Sequence, residues 1–321
     1  MSTKIEWTDT TWNPTTGCDR ISDGCDNCYA LTLAKRLKGM GSAKYQNDGD
    51  PRTSGPGFGL TIHPDTLNDP YTWKKPRTVF VNSMSDLFHA RVPFDFIRQV
   101  FDVMEATPQH TYQILTKRPS RLPRLAGKLP WPSNVWMGTS VENQQEAVRR
   151  IRDLFSAPAA VHFLSCEPLL GPVDLASAAC RGDERGHGLT ASAVHAGGCC
   201  AAAVRRLDWV IVGGESGLKA RPMHPDWARS LRDQCQAADV PFFFKQYGSW
   251  APVGPDEKGC FRHGDREIRR DGYCWPITEP HGAEDGTEVT IRRVGKKAAG
   301  RLLDGREHND MPNHQKVSQP A

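Results

Sequence analysis

Residues 209–216 read Trp209-Val210-Ile211-Val212-Gly213-Gly214-Glu215-Ser216, an unbroken apolar run that ends in glycines and polar side chains. Apolar runs of about four to eight residues without alternation are typical of strands buried on both faces, as in a parallel sheet. Other stretches share this pattern, and they are Thr78–Asp86, Thr111–Arg118, Val135–Glu142, Val161–Glu167 and Pro241–Gln246. A further strand is predicted before all of these, at Ile5–Trp12.

Helical stretches separate the predicted strands. In Pro93–Ala106 the apolar residues recur at helical spacing, and Pro93 stands at an N-terminal position. The other predicted helices are Tyr29–Leu37, Asn143–Phe155 and Pro225–Ala238. Alternating strands and helices predict an α/β fold with a parallel sheet.

The six strands, with one more before them, favour a partial TIM-type (β/α)6 barrel with parallel strands and a small C-terminal extension. A doubly wound sheet is the alternative, and it is disfavoured because no G-x-G-x-x-G follows a predicted strand. We expect the barrel to occupy residues 1–247, with a loop insertion at about 176–206. Residues 248–321 are expected to form a small α+β extension and a polar tail, with a strand at Val289–Ile291 and a helix at Ala298–Leu303.

The composition is that of a globular protein: 321 residues, 38% apolar and 24% charged, with a formal net charge of +4. No stretch approaches the roughly 20 apolar residues that a membrane span needs. The N-terminal residues lack the apolar segment of a secretory signal, so we expect a cytoplasmic protein whose ten cysteines are thiols or metal ligands. The mild positive charge permits a nucleic-acid partner without arguing for one.

Three cysteines near the N-terminus, Cys18, Cys25 and Cys28, form a C-x6-C-x2-C arrangement. Three clustered thiolates suit a soft metal centre, and three rather than four leave one position open to a ligand from outside the protein. The alternatives are a closed zinc site with a distant fourth ligand such as Cys166, or no metal. Because the loop follows the first predicted strand, it should open at the same rim as the ends of the later strands.

Polar side chains gather at the predicted strand ends, where parallel α/β barrels place their active sites. The residues concerned are Asn82, Ser83, Ser85, Asp86, Thr116, Lys117, Arg118, Thr139, Ser140, Glu142, Ser165, Cys166, Glu167, Glu215, Ser216, Lys245 and Gln246. Salt bridges that close the barrel ends are an alternative explanation for any single residue. They explain the whole set less well.

Several motifs of the chain match those of a known family. They are Trp12-Asn13-Pro14 leading to Cys18, Gly24-Cys25 through Cys28-Tyr29-Ala30, Ser83–Phe88, Leu115–Pro119, Gly138–Glu142, Glu167–Gly171, Val212–Gly217, Phe244–Gln246 and Asp304–Arg306. Over nearly its whole length the chain thereby resembles the phage Gp37/Gp68-type (DUF5131) family, which is similar to a divergent branch of the radical SAM enzymes. The usual radical SAM motif is C-x3-C-x2-C after the first barrel strand, and this chain has x6 in place of x3.

The resemblance implies a [4Fe-4S] cluster on the three cysteines, with S-adenosylmethionine (SAM) bound to the fourth iron. It further implies one-electron cleavage of SAM to a 5′-deoxyadenosyl radical that acts on an unknown substrate. An electron donor of the flavodoxin or ferredoxin type would then be a partner. Family occurrence in phages makes a nucleic acid or a nucleotide a candidate substrate.

The same chemistry implies roles for the residues at the strand ends. Glu142 is a candidate acceptor for the ribose hydroxyls, and Lys117 or Arg118 a candidate partner of the SAM carboxylate. The other predicted cofactor-binding residues are Ser83, Ser85, Asp86, Ser140, Gly213 and Gly214. The predicted catalytic residues are Lys245, Glu167 and Glu215, although a salt bridge between Lys245 and either glutamate accounts for them equally well.

A binding module is the second function that the sequence allows. Such a protein would use zinc or an iron–sulfur cluster structurally and bind nucleic acid or protein, with some of its nine tryptophans stacking on bases. A second metal site is a further candidate, with ligands among Cys180, His187, His195, Cys199 and Cys200, although a variable insertion explains these residues better. Cys260 and Cys274 are candidates for an auxiliary site.

Overall fold

The computed structural model describes Thr3 and residues 5–179, 206–253, 262–277 and 288–312. This part of the chain has an α/β fold in which seven parallel strands form a half barrel, which confirms the predicted fold class. It also contains a four-stranded antiparallel sheet and a two-stranded ribbon.

The strands of the half barrel follow one another in sequence. In chain order the strands are β1 (Thr10–Trp12), β2 (Thr15–Thr16), β3 (Thr61–Ile62), β4 (Thr78–Val81), β5 (Thr111–Thr116), β6 (Val135–Ser140), β7 (Val161–Cys166), β8 (Trp209–Gly213), β9 (Phe242–Gln246), β10 (Trp250–Pro252), β11 (Arg266–Arg269), β12 (Cys274–Pro276) and β13 (Glu288–Arg293). The half barrel has the order β1-β4-β5-β6-β7-β8-β9. A doubly wound sheet reverses its order at a switch point, so that alternative is wrong.

The helices described are α1 (Tyr29–Gly39), α2 (Phe94–Ala106), α3 (Leu122–Leu125), α4 (Gln144–Leu154), α5 (Leu175–Ala179), α6 (Pro225–Ala237) and α7 (Lys296–Ala299). Four of them, α1, α2, α4 and α6, stand where apolar periodicity predicts them, and α3 and α5 were not predicted. In α2, Ile97, Val100, Phe101 and Met104 are buried, so one stripe of the helix faces the core. No helix among the residues described is both long and apolar enough to cross a membrane.

The middle of the sheet is packed on both faces, as continuous apolar runs require. All six residues of β6 are buried, and Ile114 of β5 pairs in register with Met137. Gly138 pairs with Phe163 of β7, and a Cβ at Gly138 would lie less than 3.0 Å from the Phe163 ring. The glycine therefore makes room for a fully buried aromatic side chain.

The chain divides into two compact units. One contains the described residues of Met1–Ser140, Asp153–Ser165 and Pro312–Ala321, and the other those of Val141–Arg152 and Cys166–Met311. The first unit holds the cysteine loop and β1 to β6. The predicted domain boundary at residue 247 stays a prediction, and most of the predicted insertion lies outside the described residues.

The C-terminal segment of the second unit protects a strand edge. The backbone N–H of Phe244 in β9 donates to His308 O at 2.9 Å, and Phe243 forms a bridge with Asn309. Covering an edge strand in this way removes unpaired backbone groups that would otherwise recruit another chain. The helix predicted at Ala298–Leu303 is wrong, because α7 ends at Ala299 and Gly300 adopts a left-handed φ of 70°.

Gly138→Ala should destabilise the first unit. The added methyl group would overlap the ring of Phe163, which has no free space to move into. We expect the free energy of unfolding to fall by about 1–3 kcal/mol, the usual cost of overpacking a core. Urea denaturation of the purified protein measures this.

The matched control is Gly127→Ala, where a Cβ would meet no atom within 4 Å. That substitution should leave the stability unchanged or slightly raised, since alanine favours a helical turn over glycine. Equal stabilities for the two variants would contradict the packing that we assign to Gly138.

Candidate functional site

The cysteine loop leaves the sheet through a turn that only glycine fits. Gly17 has a φ of 83°, and a Cβ there would collide with the backbone of Gly59. Its N–H donates to Met84 O at 2.9 Å, and the Ser85 hydroxyl donates to Gly17 O at 2.6 Å. The segment after β4 therefore fixes the start of the loop.

Cys18, Cys25 and Cys28 are free thiols that are each partly buried. Cys18 follows the Gly17 turn, Cys25 ends a short 3₁₀ helix at Asp23–Cys25, and Cys28 directly precedes α1. Cys18 and Cys28 pack against an apolar cluster formed by Ala30, Ala34, Tyr45, Phe58 and Met84. The loop thus presents its sulfur atoms beside a surface that excludes water.

This environment opposes ionisation of Cys18 and Cys28. The pKa of the Cys18 thiol is raised to about 12, mainly by burial and next by the carboxylate of Asp86, while Arg118 acts in the opposite direction. Burial also raises the pKa of Cys28, against the lowering effect of the N–H groups at the start of α1. Since metals bind thiolates, loading of this loop must release protons.

Arg118 and Asp86 form a buried ion pair next to Cys18. Arg118 Nη1 donates to Cys18 Sγ and to Asp86 Oδ2, each at 3.2 Å, and Nη2 donates to Asp19 O at 2.7 Å. The Asp86 carboxylate also accepts from the Thr116 hydroxyl at 2.7 Å and from the backbone N–H groups of Lys117 and Phe88 at 3.0 Å. Asp86 is therefore an anchor for the ends of two segments as well as for Arg118.

A second carboxylate, that of Asp19, ties the loop to distant parts of the chain. It accepts hydrogen bonds from Thr53 at 2.8 Å and Arg91 at 3.0 Å, and it pairs with His89 at 2.9 Å. Burial would raise the pKa of Asp19, but these hydrogen bonds and the Arg91 charge outweigh it and hold the pKa below its usual value. Asp19 is thus ionised and fixed.

The serines that were predicted to bind SAM make protein contacts. The Ser83 hydroxyl donates to Asn13 Oδ1 at 3.2 Å, and Met84 N donates to the same oxygen at 3.0 Å. Ser85 holds Gly17, as described above. Ser140, at the end of β6, is buried. The roles of all three serines in cofactor binding stay predictions, and the observed role of Ser83 and Ser85 is to hold segments next to the loop.

In the second unit, two of the predicted glutamates are held by arginines. Glu142 is fully buried, and Arg150 Nη1 donates to its Oε2 at 2.6 Å. Arg221 donates to Glu215 through its backbone N–H at 2.7 Å and through Nε at 3.0 Å. In this arrangement both carboxylates stabilise the fold, and their predicted roles toward ribose and substrate are untested.

Lys245 and Glu167 form the salt bridge that the sequence left as an alternative, with 3.0 Å between Nζ and Oε1. Both side chains keep some exposure, 19% and 14% respectively. A Cβ on Gly213 would lie 2.7 Å from Glu167 Oε1, and one on Gly214 would collide with Tyr247 O. The two glycines therefore allow close approach of protein groups, which is the observed reason for them.

Among the residues described, the other candidate metal ligands do not form a second site. The Cys166 thiol is fully buried, and that of Cys274 is half-buried. The remaining candidates lie outside the described residues, and they are Cys180, His187, His195, Cys199, Cys200 and Cys260.

The three thiols of the cysteine loop suit an iron–sulfur cluster better than they suit a single metal ion. Within the part of the chain that the structure describes, no group of three or more His, Cys, Asp or Glu side chains is arranged to hold a metal ion. The cysteine loop nevertheless supplies three soft thiols, an apolar wall and a cationic donor to one sulfur. Three thiolates are the ligands that would hold an iron–sulfur cluster with one open iron, and the apolar wall and the donor would surround it.

Sequence reasoning missed the residues that hold the loop in place. Thr53, His89 and Arg91 contact it from positions far along the chain, and their common partner Asp19 was only one of three aspartates in it. Polar residues of these types are common on loops, so a single sequence carries no signal for their pairing.

Comparison with known proteins identifies the family. The profile of the family described as protein of unknown function (DUF5131) matches residues 2–312. The chain therefore belongs to this family, which confirms the resemblance seen in its motifs. No curated protein matches the chain.

Solved structures of spore photoproduct lyase show a slight likeness to the chain. A doubly substituted variant with bound AdoMet and dinucleoside spore photoproduct is 10% identical, with a TM-score of 0.37 over 70% of this chain and 60% of the lyase. A singly substituted variant is 9% identical, with a TM-score of 0.40 over 74% of this chain and 75% of the lyase. At these scores the likeness identifies neither the activity nor the ligands of this chain.

Asp86→Ala should destabilise the first unit strongly, because it removes the acceptor of four hydrogen bonds and leaves Arg118 without its buried partner. We expect a loss of about 2–4 kcal/mol in the free energy of unfolding, measured by urea denaturation of the apoprotein. Asp86→Asn is the matched control. It keeps one acceptor oxygen, so it should lose about half as much.

A loss no greater than about 0.5 kcal/mol for Asp86→Ala, the size of an ordinary surface substitution, would show that the carboxylate is not the anchor that we describe.

Proposed function

We propose that this protein is a radical-SAM-like enzyme in which Cys18, Cys25 and Cys28 hold a [4Fe-4S] cluster. The observation that carries the proposal is a loop with three free, partly buried thiols set between the first strands and α1. Three thiolates leave one iron without a protein ligand, and the amino and carboxylate groups of SAM are suited to that position. Family resemblance supports the same cofactor pair.

When bound and reduced, such a cluster supplies the electron that cleaves SAM to a 5′-deoxyadenosyl radical. The chain's own residues would bind and shield it. The apolar cluster around Tyr45, Phe58 and Met84 would keep water from the sulfur atoms, and Gly17, Ser85 and Asp86 would fix the loop that carries them. Because the reaction consumes an electron, a flavodoxin- or ferredoxin-type donor belongs to the proposal.

The catalytic roles of Lys245, Glu167 and Glu215 are carried forward as predictions. A nucleotide or nucleic acid is the substrate class to screen first, since a net charge of +4 permits an anionic partner. A cytoplasmic location is carried forward as part of the proposal.

The proposal predicts that anaerobic reconstitution loads about four irons per chain, with matching sulfide and a brown colour. After reduction with dithionite, the loaded protein should convert SAM to 5′-deoxyadenosine. Cys18→Ala, Cys25→Ala and Cys28→Ala should each lose most of the iron and show only background 5′-deoxyadenosine, because each removes one of three ligands.

The control variant is Cys274→Ser, which alters a half-buried thiol outside the loop and should keep full iron content and turnover. Wild-type turnover in Cys25→Ala would exclude the proposed mechanism. A colourless protein with stoichiometric zinc and no SAM cleavage would favour the metal-containing binding module instead.

A further inference from the structure

The guanidinium of Arg118 contacts the cysteine loop at two neighbouring residues, Cys18 and Asp19. One terminal nitrogen donates to the sulfur of Cys18, and the other donates to the backbone oxygen of Asp19, the next residue. The Arg118 side chain is 12% exposed, so these hydrogen bonds are formed largely away from solvent. Burial raises the pKa of the Cys28 thiol, and the charge of Lys117 acts against that rise.

The position of Arg118 is itself fixed. Its backbone N–H donates to the Thr116 hydroxyl at 2.9 Å, and that hydroxyl donates to Asp86. The Asp86 side chain is 6% exposed and holds Arg118 Nη1 at 3.2 Å. These hydrogen bonds connect Arg118 to the end of β5 and hold its guanidinium beside the sulfur of Cys18. A guanidinium held in this way loses little conformational freedom when it bonds a ligand sulfur.

Hydrogen bonds to the sulfur ligands of an iron–sulfur cluster affect its reduction potential. Reduction adds one negative charge, and part of that charge resides on the ligand sulfur atoms. A cationic donor to one sulfur stabilises the reduced form more than the oxidised form. Arg118 should therefore raise the potential, whereas burial and the nearby Asp86 carboxylate act against it.

We infer, on the basis of the proposed function, that Arg118 is a positioning residue which holds Cys18 in place and raises the reduction potential of the cluster. This role differs from pairing with the SAM carboxylate, which the motif suggested. Both terminal nitrogens of Arg118 already bond to protein atoms of the cysteine loop and of Asp86.

The test is a potentiometric titration of the anaerobically reconstituted protein without SAM, followed by electron paramagnetic resonance. We expect Arg118→Gln to fold and to load iron. At the wild-type midpoint potential, its ratio of reduced to oxidised cluster should be at least tenfold lower, a shift of about 59 mV for a one-electron couple. Arg118→Lys, which keeps the charge without the planar fork, should show a smaller shift in the same direction.

The matched control is Arg121→Gln, since Arg121 lies in the next turn and donates to the backbone oxygens of His89 and Val92 rather than to a thiol. It should keep the wild-type potential. A wild-type potential in Arg118→Gln, or an equal shift in Arg121→Gln, would overturn the inference while leaving the cluster in place.

If the Arg118→Gln variant loses the cluster, the potential of Arg118→Lys becomes the test. A potential below that of the wild type then supports the inference, and an unchanged potential overturns it. Loss from both variants, with Arg121→Gln loaded, would show that Arg118 is needed for binding rather than for the potential, and would also overturn it. A wild-type protein that takes up no cluster would instead refute the proposed function itself.

Discussion

The buried carboxylate of Asp86 is the contact on which the geometry of the cysteine loop depends. It accepts hydrogen bonds from the hydroxyl of Thr116, from two backbone N–H groups and from the guanidinium of Arg118, and Arg118 in turn holds Cys18. A buried charge is tolerated only where it is fully paired, and here every donor comes from a strand end or the loop beside it. One carboxylate thereby connects β4, β5 and the cysteine loop.

The polar residues at the strand ends make structural contacts, which are not expected when these residues are interpreted as ligand-binding. Ser83 and Ser85 fix backbone, Glu142 and Glu215 are held by arginines, and Lys245 pairs with Glu167. A pattern in one sequence therefore overestimates the number of these side chains that bind a ligand. The cysteine loop differs from these residues in that it brings three partly buried thiols into one segment, with Arg118 donating to the sulfur of Cys18.

The sequence predicted the sheet well because buried parallel strands leave an unmistakable local pattern. The apolar runs at β5 to β9 and the stripe on α2 depend only on nearby residues, so their bounds were foreseen closely. The end of α7 was missed, because the left-handed Gly300 was one of several glycines in that segment. The network around Asp19 was also missed, since its partners lie 34 to 72 residues away and nothing local marks them.

These distant contacts bear on the long spacing between Cys18 and Cys25. A longer loop loses more conformational entropy when its ends are fixed, so a cluster on a C-x6-C spacing needs added restraint. The structure supplies it: Asp19 is bonded to Thr53 and Arg91, the Arg20 N–H donates to Thr53 O at 3.0 Å, and a 3₁₀ turn takes up the residues before Cys25. The extra residues are thereby tied to the body of the first unit, and the loop can offer its three thiols in a limited set of arrangements despite its length.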